Sequence, residues 1–422
     1  MKGRTVKVAH ITTFINGGAG IAAYRIHEAL LKCGVDSVFI ATDEPIIDNL
    51  KSFTRISVPT KSLSKRAVDK FWRIVARSLK VKSFNRLAYF QNKLNKIKPL
   101  LFGEPASLPF SNYILLQHPA VQAADIIHLH WVAGVLDYPT FFKDIKKPIV
   151  WTNHDMNSIK GLFHYNVDED RNKTVAAELD KEVNAIKDEA LKNRGTKMSV
   201  VSPSNWLLKE LAGSERFQNN KAFKIYYPLN TELFGIRDTN MLRAELNIPI
   251  SHTVFLFVSQ SIHNYRKGFD LLQDALIKLD SENITLLIIG YSENTQISNL
   301  NCINMGSVYD EKKLSYYYSL ADAFIIPSRE DNLPNVMLES LCCGTPVISF
   351  DLGGMAEIIV DKVNGIKAKE LTSESLKETL LEFIKTKENF NPQNIREEAL
   401  KLFSSEIIAN KYLSLYKELL NS

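Results

Sequence analysis

The chain has 422 residues, 45% hydrophobic and 23% charged, an ordinary globular composition at a length that favours two or three domains. Its four cysteines, Cys33, Cys302, Cys342 and Cys343, have no CxxC spacing, so neither a disulfide framework nor a zinc site is expected, and a reducing cytoplasm is the simplest setting. The net charge of +5 is uneven: residues 51–98 hold fourteen Lys and Arg against one acid, which leaves the rest of the chain net acidic.

The start, MKGRTVKVAHITTF, has no long apolar core and no small-residue cleavage site, so no signal peptide is expected. No apolar run reaches the roughly 18 residues that a spanning helix needs. VKVAHIT reads as a strand, IAAYRIHEALLKCG as a helix with Ile26, Leu30 and Leu31 at helical spacing, and VDSVFIAT as a second strand. Between the first two lies NGGAGIAAYR, residues 16–25. Gly18, Gly20 and Ala23 fit GxGxxG/A, with Asp43 placed where a dinucleotide fold sets its ribose-binding acid. Equally, Gly17 and Gly18 let a backbone turn approach any substrate while helix-start amides meet an anion. A tight turn with no ligand is the third reading.

In the basic segment, SKRAVDKFWRIVARSLK puts Val68, Phe71, Trp72, Val75 and Leu79 on one stripe, with Lys65, Arg66, Lys70, Arg73 and Arg77 elsewhere. Such a helix packs with a solvated basic face, lies on an anionic membrane surface or meets a phosphorylated acceptor, so residues 61–98 are a candidate peripheral membrane contact. No nucleic-acid motif accompanies the charge, and no nucleic-acid partner is expected.

ADIIHLH, KPIVWTNH and KMSVVSPS continue the strand series. His154 and Asp155 fall just past an apolar strand, where ligands gather in parallel sheets. His128 and His130 share one side of their strand, and core packing competes with function there. The one DxD, Asp168–Asp170, lies in a polar stretch without strand context and is discounted as a metal site. A Pro-Leu-Asn turn within residues 226–238 separates this series from the next.

TVFLFVS, ITLLIIG, DAFIIPS and TPVISF are the later strands. After the first of them, Arg266 and Lys267 precede Gly268 and an apolar helix, a placement suited to neutralising a diphosphate. After DAFIIPS, the loop 328–333 carries Glu330 and Asp331, and Pro334 starts a helix whose Asn335 and Val336 amides are free for a phosphate. Glu339 lies further along that helix in an apolar neighbourhood. The final SSEIIANKYLSLYKELL keeps Ile408, Tyr412, Leu415, Tyr416 and Leu419 on one face, which must dock on something. Strands alternating with helices, too many for one sheet, give an α/β chain of two Rossmann-like doubly wound domains.

GGAGIAA, WTNHDM and SREDNLPNVMLESLCCGTPVI together resemble the retaining family 4 glycosyltransferases of the GT-B fold, of the bacterial polysaccharide-assembly type. The likeness is strongest over 255–365 and weakest over about 45–120. It implies an acceptor domain at 1–230 completed by the C-terminal helix 405–422, a nucleotide-sugar donor domain at 231–404, and a cleft between them. It further implies that Asp331 holds sugar hydroxyls, Glu339 the nucleotide ribose, Lys267 the diphosphate, and His154 the reaction centre. Acid, seven residues, then Glu is the family spacing, so Asp331 and not Glu330 pairs with Glu339. The family's upstream arginine is replaced by Gln260 or Ser261, with Arg266 as the substitute. Gly306 and Val308 match the nucleobase loop, and Gly353 and Gly354 another donor loop. The implied function is metal-independent, retaining transfer from a nucleotide-diphosphate sugar, UDP-linked by preference, to a glycan or lipid-linked acceptor at the inner membrane face. No cofactor is implied. A nicotinamide or flavin oxidoreductase and a non-catalytic nucleotide-sugar binder are the alternatives.

Overall fold

The structure is a computed structural model that describes residues 5–43, 50–58, 85–103, 106–279, 283–291, 295–298 and 300–421. The amphipathic stretch from Val68 to Leu79 lies outside the described residues. The C-terminal part of the basic segment is a helix, Arg86–Ile97, capped by the Asn85 side chain.

Two parallel sheets form the molecule. The first contains β1 (Lys7–Ile11), β2 (Asp36–Ala41), β3 (Phe53–Arg55), β4 (Ile126–Leu129), β5 (Ile149–Thr152), β6 (Met198–Ser202) and β7 (Lys221–Lys224), in the order β3-β2-β1-β4-β5-β6-β7. The second contains β8 (Thr253–Ser261), β9 (Ile284–Tyr291), β10 (Asn301–Gly306), β11 (Ala323–Ile326), β12 (Val347–Phe350) and β13 (Gly365–Ala368), ordered β10-β9-β8-β11-β12-β13. The central strands are buried on both faces, as the β-branched runs require once helices cover both sides. Each sheet reverses its winding at one place, between β1 and β4 in the first and between β8 and β11 in the second. Those reversals open crevices at the carboxyl ends of the strands.

The C-terminal helix, Ser405–Asn421, crosses back to the first sheet. Its apolar face, Ile408, Tyr412, Leu415, Tyr416 and Leu419, is buried. The Tyr416 hydroxyl meets Nδ1 of His128 on β4 at 2.6 Å, and the Tyr412 hydroxyl meets Oγ1 of Thr152 on β5 at 3.0 Å. One apolar core therefore runs from Val8 and Ile126 of the first sheet through Ile408 and Tyr412 to Val254 and Leu256 of the second. Among the described residues, no helix is long and apolar enough to cross a membrane.

Candidate functional site

The site gathers loops that leave the carboxyl ends of β1, β5, β8 and β11. After β1, Gly17 opens the helix Gly18–Lys32, and a Cβ built on Gly17 or Gly18 meets nothing within 4 Å. The space beyond this turn is open. Asp43, by contrast, faces inward. Its carboxylate accepts from the Ile15 amide at 2.8 Å and from the Asn16 side chain at 2.9 Å, so it shapes the turn instead of waiting for a ribose.

After β8, Tyr265–Lys267 make one tight turn that ends at Gly268 with φ of 69°. A Cβ on Gly268 would lie 1.8 Å from the Pro327 carbonyl oxygen, so only glycine lets this loop press against the exit of β11. That approach brings Lys267 Nζ to 2.5 Å from Asp331 Oδ2, with Arg266 Nη1 at 3.4 Å from the same oxygen. Burial alone would raise the Asp331 carboxyl; Lys267 and then Arg266 outweigh it and hold the group below its usual range. Arg266 also donates to the Glu330 carbonyl at 3.0 Å, and its guanidinium rests 4.0 Å from the centre of the Tyr165 ring. Gly353 and Gly354 close the loop from below: a Cβ on Gly354 would sit 1.6 Å from the Asn332 carbonyl oxygen.

The two acids that adjoin in sequence diverge in space. Glu330 accepts from the Asn166 side chain at 2.8 Å and from the Val167 amide at 2.9 Å, capping the long helix Asn166–Lys192 of the other half of the molecule. Burial raises its carboxyl above the usual value. Asp168–Asp170 lie in the first turns of that helix. Asn332, which sequence reasoning passed over, reaches across the cleft: its side chain donates to the His154 carbonyl at 3.1 Å and accepts from Ser204 Oγ at 2.5 Å.

Pro334 is the cap of the helix Asn335–Cys342. The Asn335 and Val336 amides have no partner within that helix, and the Asn335 side chain donates to the Gly18 carbonyl at 2.7 Å. Glu339, only 5% exposed, accepts from Arg25 at 2.7 Å on one oxygen and from the Tyr318 hydroxyl at 2.9 Å on the other. Gly306 ends β10 and is exposed, and Val308 is half-buried in the loop that follows, shortly before Glu311 at the start of the next helix.

His154 is buried with both ring nitrogens engaged. Nδ1 meets the Tyr227 hydroxyl at 2.8 Å, and Nε2 meets Nδ1 of His130 at 3.1 Å. His130 continues to His10 at 2.9 Å. Burial lowers the His154 pKa to about 4, so the ring is neutral near pH 7. A sugar contact through this ring would have to share or exchange one of those bonds. His10, His128 and His130 bring ring nitrogens within 4.8 Å of one another, but His128 and His130 each spend both nitrogens on protein partners.

Two doubly wound parallel sheets joined by one core are the architecture of the GT-B fold. Residues 252–386 match the family model described as "Glycosyl transferases group 1". The fold is therefore GT-B, and residues 252–386 are similar to the group 1 glycosyltransferases. It is 29% identical over 183 residues to the N,N'-diacetylbacillosaminyl-diphospho-undecaprenol alpha-1,3-N-acetylgalactosaminyltransferase of Campylobacter jejuni, covering 42% of this chain and 47% of that protein. The chain spans about half the length, or less, of the curated relatives it matches. Among solved structures, sucrose-phosphate synthase from Thermosynechococcus elongatus superposes with a TM-score of 0.70 at 17% identity, covering 99% of this chain and 100% of that one. Anabaena HepE, solved with UDP and glucose, superposes with a TM-score of 0.64 at 14% identity, covering 98% and 100%. At those identities the likeness speaks for the fold.

Proposed function

We propose that the protein transfers a glycosyl group from a nucleotide-diphosphate sugar, UDP-linked by preference, to a glycan or lipid-linked acceptor in cell-surface polysaccharide synthesis, with retention at the anomeric carbon and without a metal. The observation that carries this reading is the convergence of Lys267 and Arg266 on Asp331 beside the amides of Asn335 and Val336. Fixed donors of this kind would stabilise the charge that develops on a departing diphosphate, and a partly buried site strengthens them. In the transfer, the acceptor oxygen bonds the anomeric carbon, the bond to the diphosphate oxygen breaks, and the hydroxyl proton leaves with the diphosphate. Asp331 then holds sugar hydroxyls, Glu339 the ribose, and His154 lines the reaction centre. The oxidoreductase alternative loses its ribose acid, because Asp43 is spent on the glycine turn. The relative that acts on a diphospho-undecaprenol substrate and the fold neighbour solved with UDP support the donor and acceptor classes.

Calorimetry across UDP-, GDP- and ADP-sugars, with chelator present, tests the reading. A UDP-sugar is expected to bind, and Lys267→Ala to weaken it by about 10- to 100-fold, the worth of a hydrogen bond to a charged group. Purified protein that carries nicotinamide or flavin, or binds no nucleotide sugar at all, would reject it.

A further inference from the structure

We propose that Arg25 is a positioning residue for donor recognition, holding Glu339 so that its remaining lone pairs face the two ribose hydroxyls. The proposal rests on the reading of Glu339 as the ribose acceptor. Arg25 projects from the second turn of the helix Gly18–Lys32, on the first sheet's side of the cleft, and is 8% exposed. Its Nη2 reaches Glu339 Oε1 at 2.7 Å and Glu311 Oε1 at 2.6 Å, both on the other side. Glu311 starts the helix that follows the Gly306–Val308 loop, so one guanidinium ties together the two elements expected to hold the nucleoside. The ring of Phe234 supports the guanidinium at 5.3 Å, and among the described residues Nη1 has no hydrogen-bond partner.

The stoichiometry is the core of the argument. An ionised carboxylate offers about four lone-pair sites. Arg25 takes one on Oε1 and the Tyr318 hydroxyl takes one on Oε2, which leaves one on each oxygen. A ribose presents two vicinal hydroxyls, a match for that remainder. A carboxylate gripped at both oxygens cannot rotate away, so the two acceptors are fixed before the ligand arrives. Because the grip crosses the cleft, recognition of the ribose is coupled to closure of the two halves. Without the guanidinium, Glu339 and Glu311 lose the cation that holds them, and the acceptor geometry is no longer set.

The test compares the tightest binder among UDP, GDP and ADP with its 2′,3′-dideoxy form, using the full-length protein and its Arg25→Gln variant. Wild type is expected to prefer the ribonucleotide by at least about tenfold. Arg25→Gln is expected to reduce that preference to about twofold, with Arg25→Lys between the two. A variant that weakens both nucleotides equally, or changes neither, overturns the role of Arg25 while leaving the donor site intact. A wild type with no preference overturns the Glu339 reading and this proposal together, and binding of none of the three nucleotides rejects the proposed function itself. If Arg25→Gln fails to fold by circular dichroism, Arg25→Met is read by the same criterion: it keeps the length of the side chain and loses the charge and its donors, so full retention of the preference overturns the proposal.

Discussion

Glu330 and Glu339 test how far a carboxylate's partners define its work. Glu330 caps a helix of the opposite half of the molecule through Asn166 and Val167, and Glu339 is held between Arg25 and Tyr318. Glu330→Ala is therefore expected to lower stability by about 1–3 kcal/mol, because two donors lose a charged acceptor, with little change in donor affinity. Glu339→Ala is expected to abolish donor binding at a comparable stability cost. Melting curves and calorimetry on both variants separate the effects; equal losses of affinity would undo the pairing of Asp331 with Glu339. Much of this site could be read from residue order, since strand, loop, proline and helix put Lys267, Asp331 and Glu339 at one edge. Arg25, Tyr318, Tyr227 and Asn332 could not be read that way. Each acts through a partner at least 21 residues distant, and nothing in its local sequence marks it.

At the scale of elements, the histidines of β1, β4, the β5 exit and the helix Gly18–Lys32 make the first half acid-sensitive. Burial lowers His27 and His154 to about 4 and pushes His10, His128 and His130 well below their usual value. The unfolded chain takes up protons near 6.5 and the folded chain only near 4, so stability is full above pH 6.5 and falls as pH drops toward 4. Each of the first two costs about 2 kcal/mol at pH 5. The carboxyls of Asp331 and Asp155, held low, act only at more acid pH, and the raised Glu330 opposes the trend weakly. Melting is expected to fall by at least about 5 °C between pH 7.5 and 5; a flat profile over that window would contradict the burial argument. The strands themselves divide by legibility. Every central strand announces itself as an apolar run, whereas β3, β7, β10 and β13 carry no such run. All four are sheet edges. Strands such as KAFK of β7 and NCINMG of β10 face solvent on one side, so no continuous apolar run marks them.

For the whole molecule, the question is whether two sheets make two independent folding units. Bonds across the cleft, from Arg25, Glu330, Asn332 and Asn335, join their mouths. The C-terminal helix joins their backs, since it leaves the second half of the chain and buries Tyr412 and Tyr416 against β4 and β5. The continuous core through Ile408 and Tyr412 means that neither half can unfold without exposing apolar surface on the other. Calorimetric unfolding of the intact chain is accordingly expected to show one transition. Replacing both tyrosines, Tyr412→Ala with Tyr416→Ala, opens a cavity at the junction and leaves His128 without its hydroxyl partner, a loss of about 3–5 kcal/mol for each large aromatic side chain removed. The lost hydroxyl bonds both belong to the first sheet, so that half loses more. The double variant should therefore separate into two transitions, the earlier one belonging to the first half and the later one still raised by a bound nucleotide. A double variant that keeps a single transition at lower temperature would show instead that the contacts across the cleft suffice to couple the halves, and that the terminal helix is only a cover for the sheet.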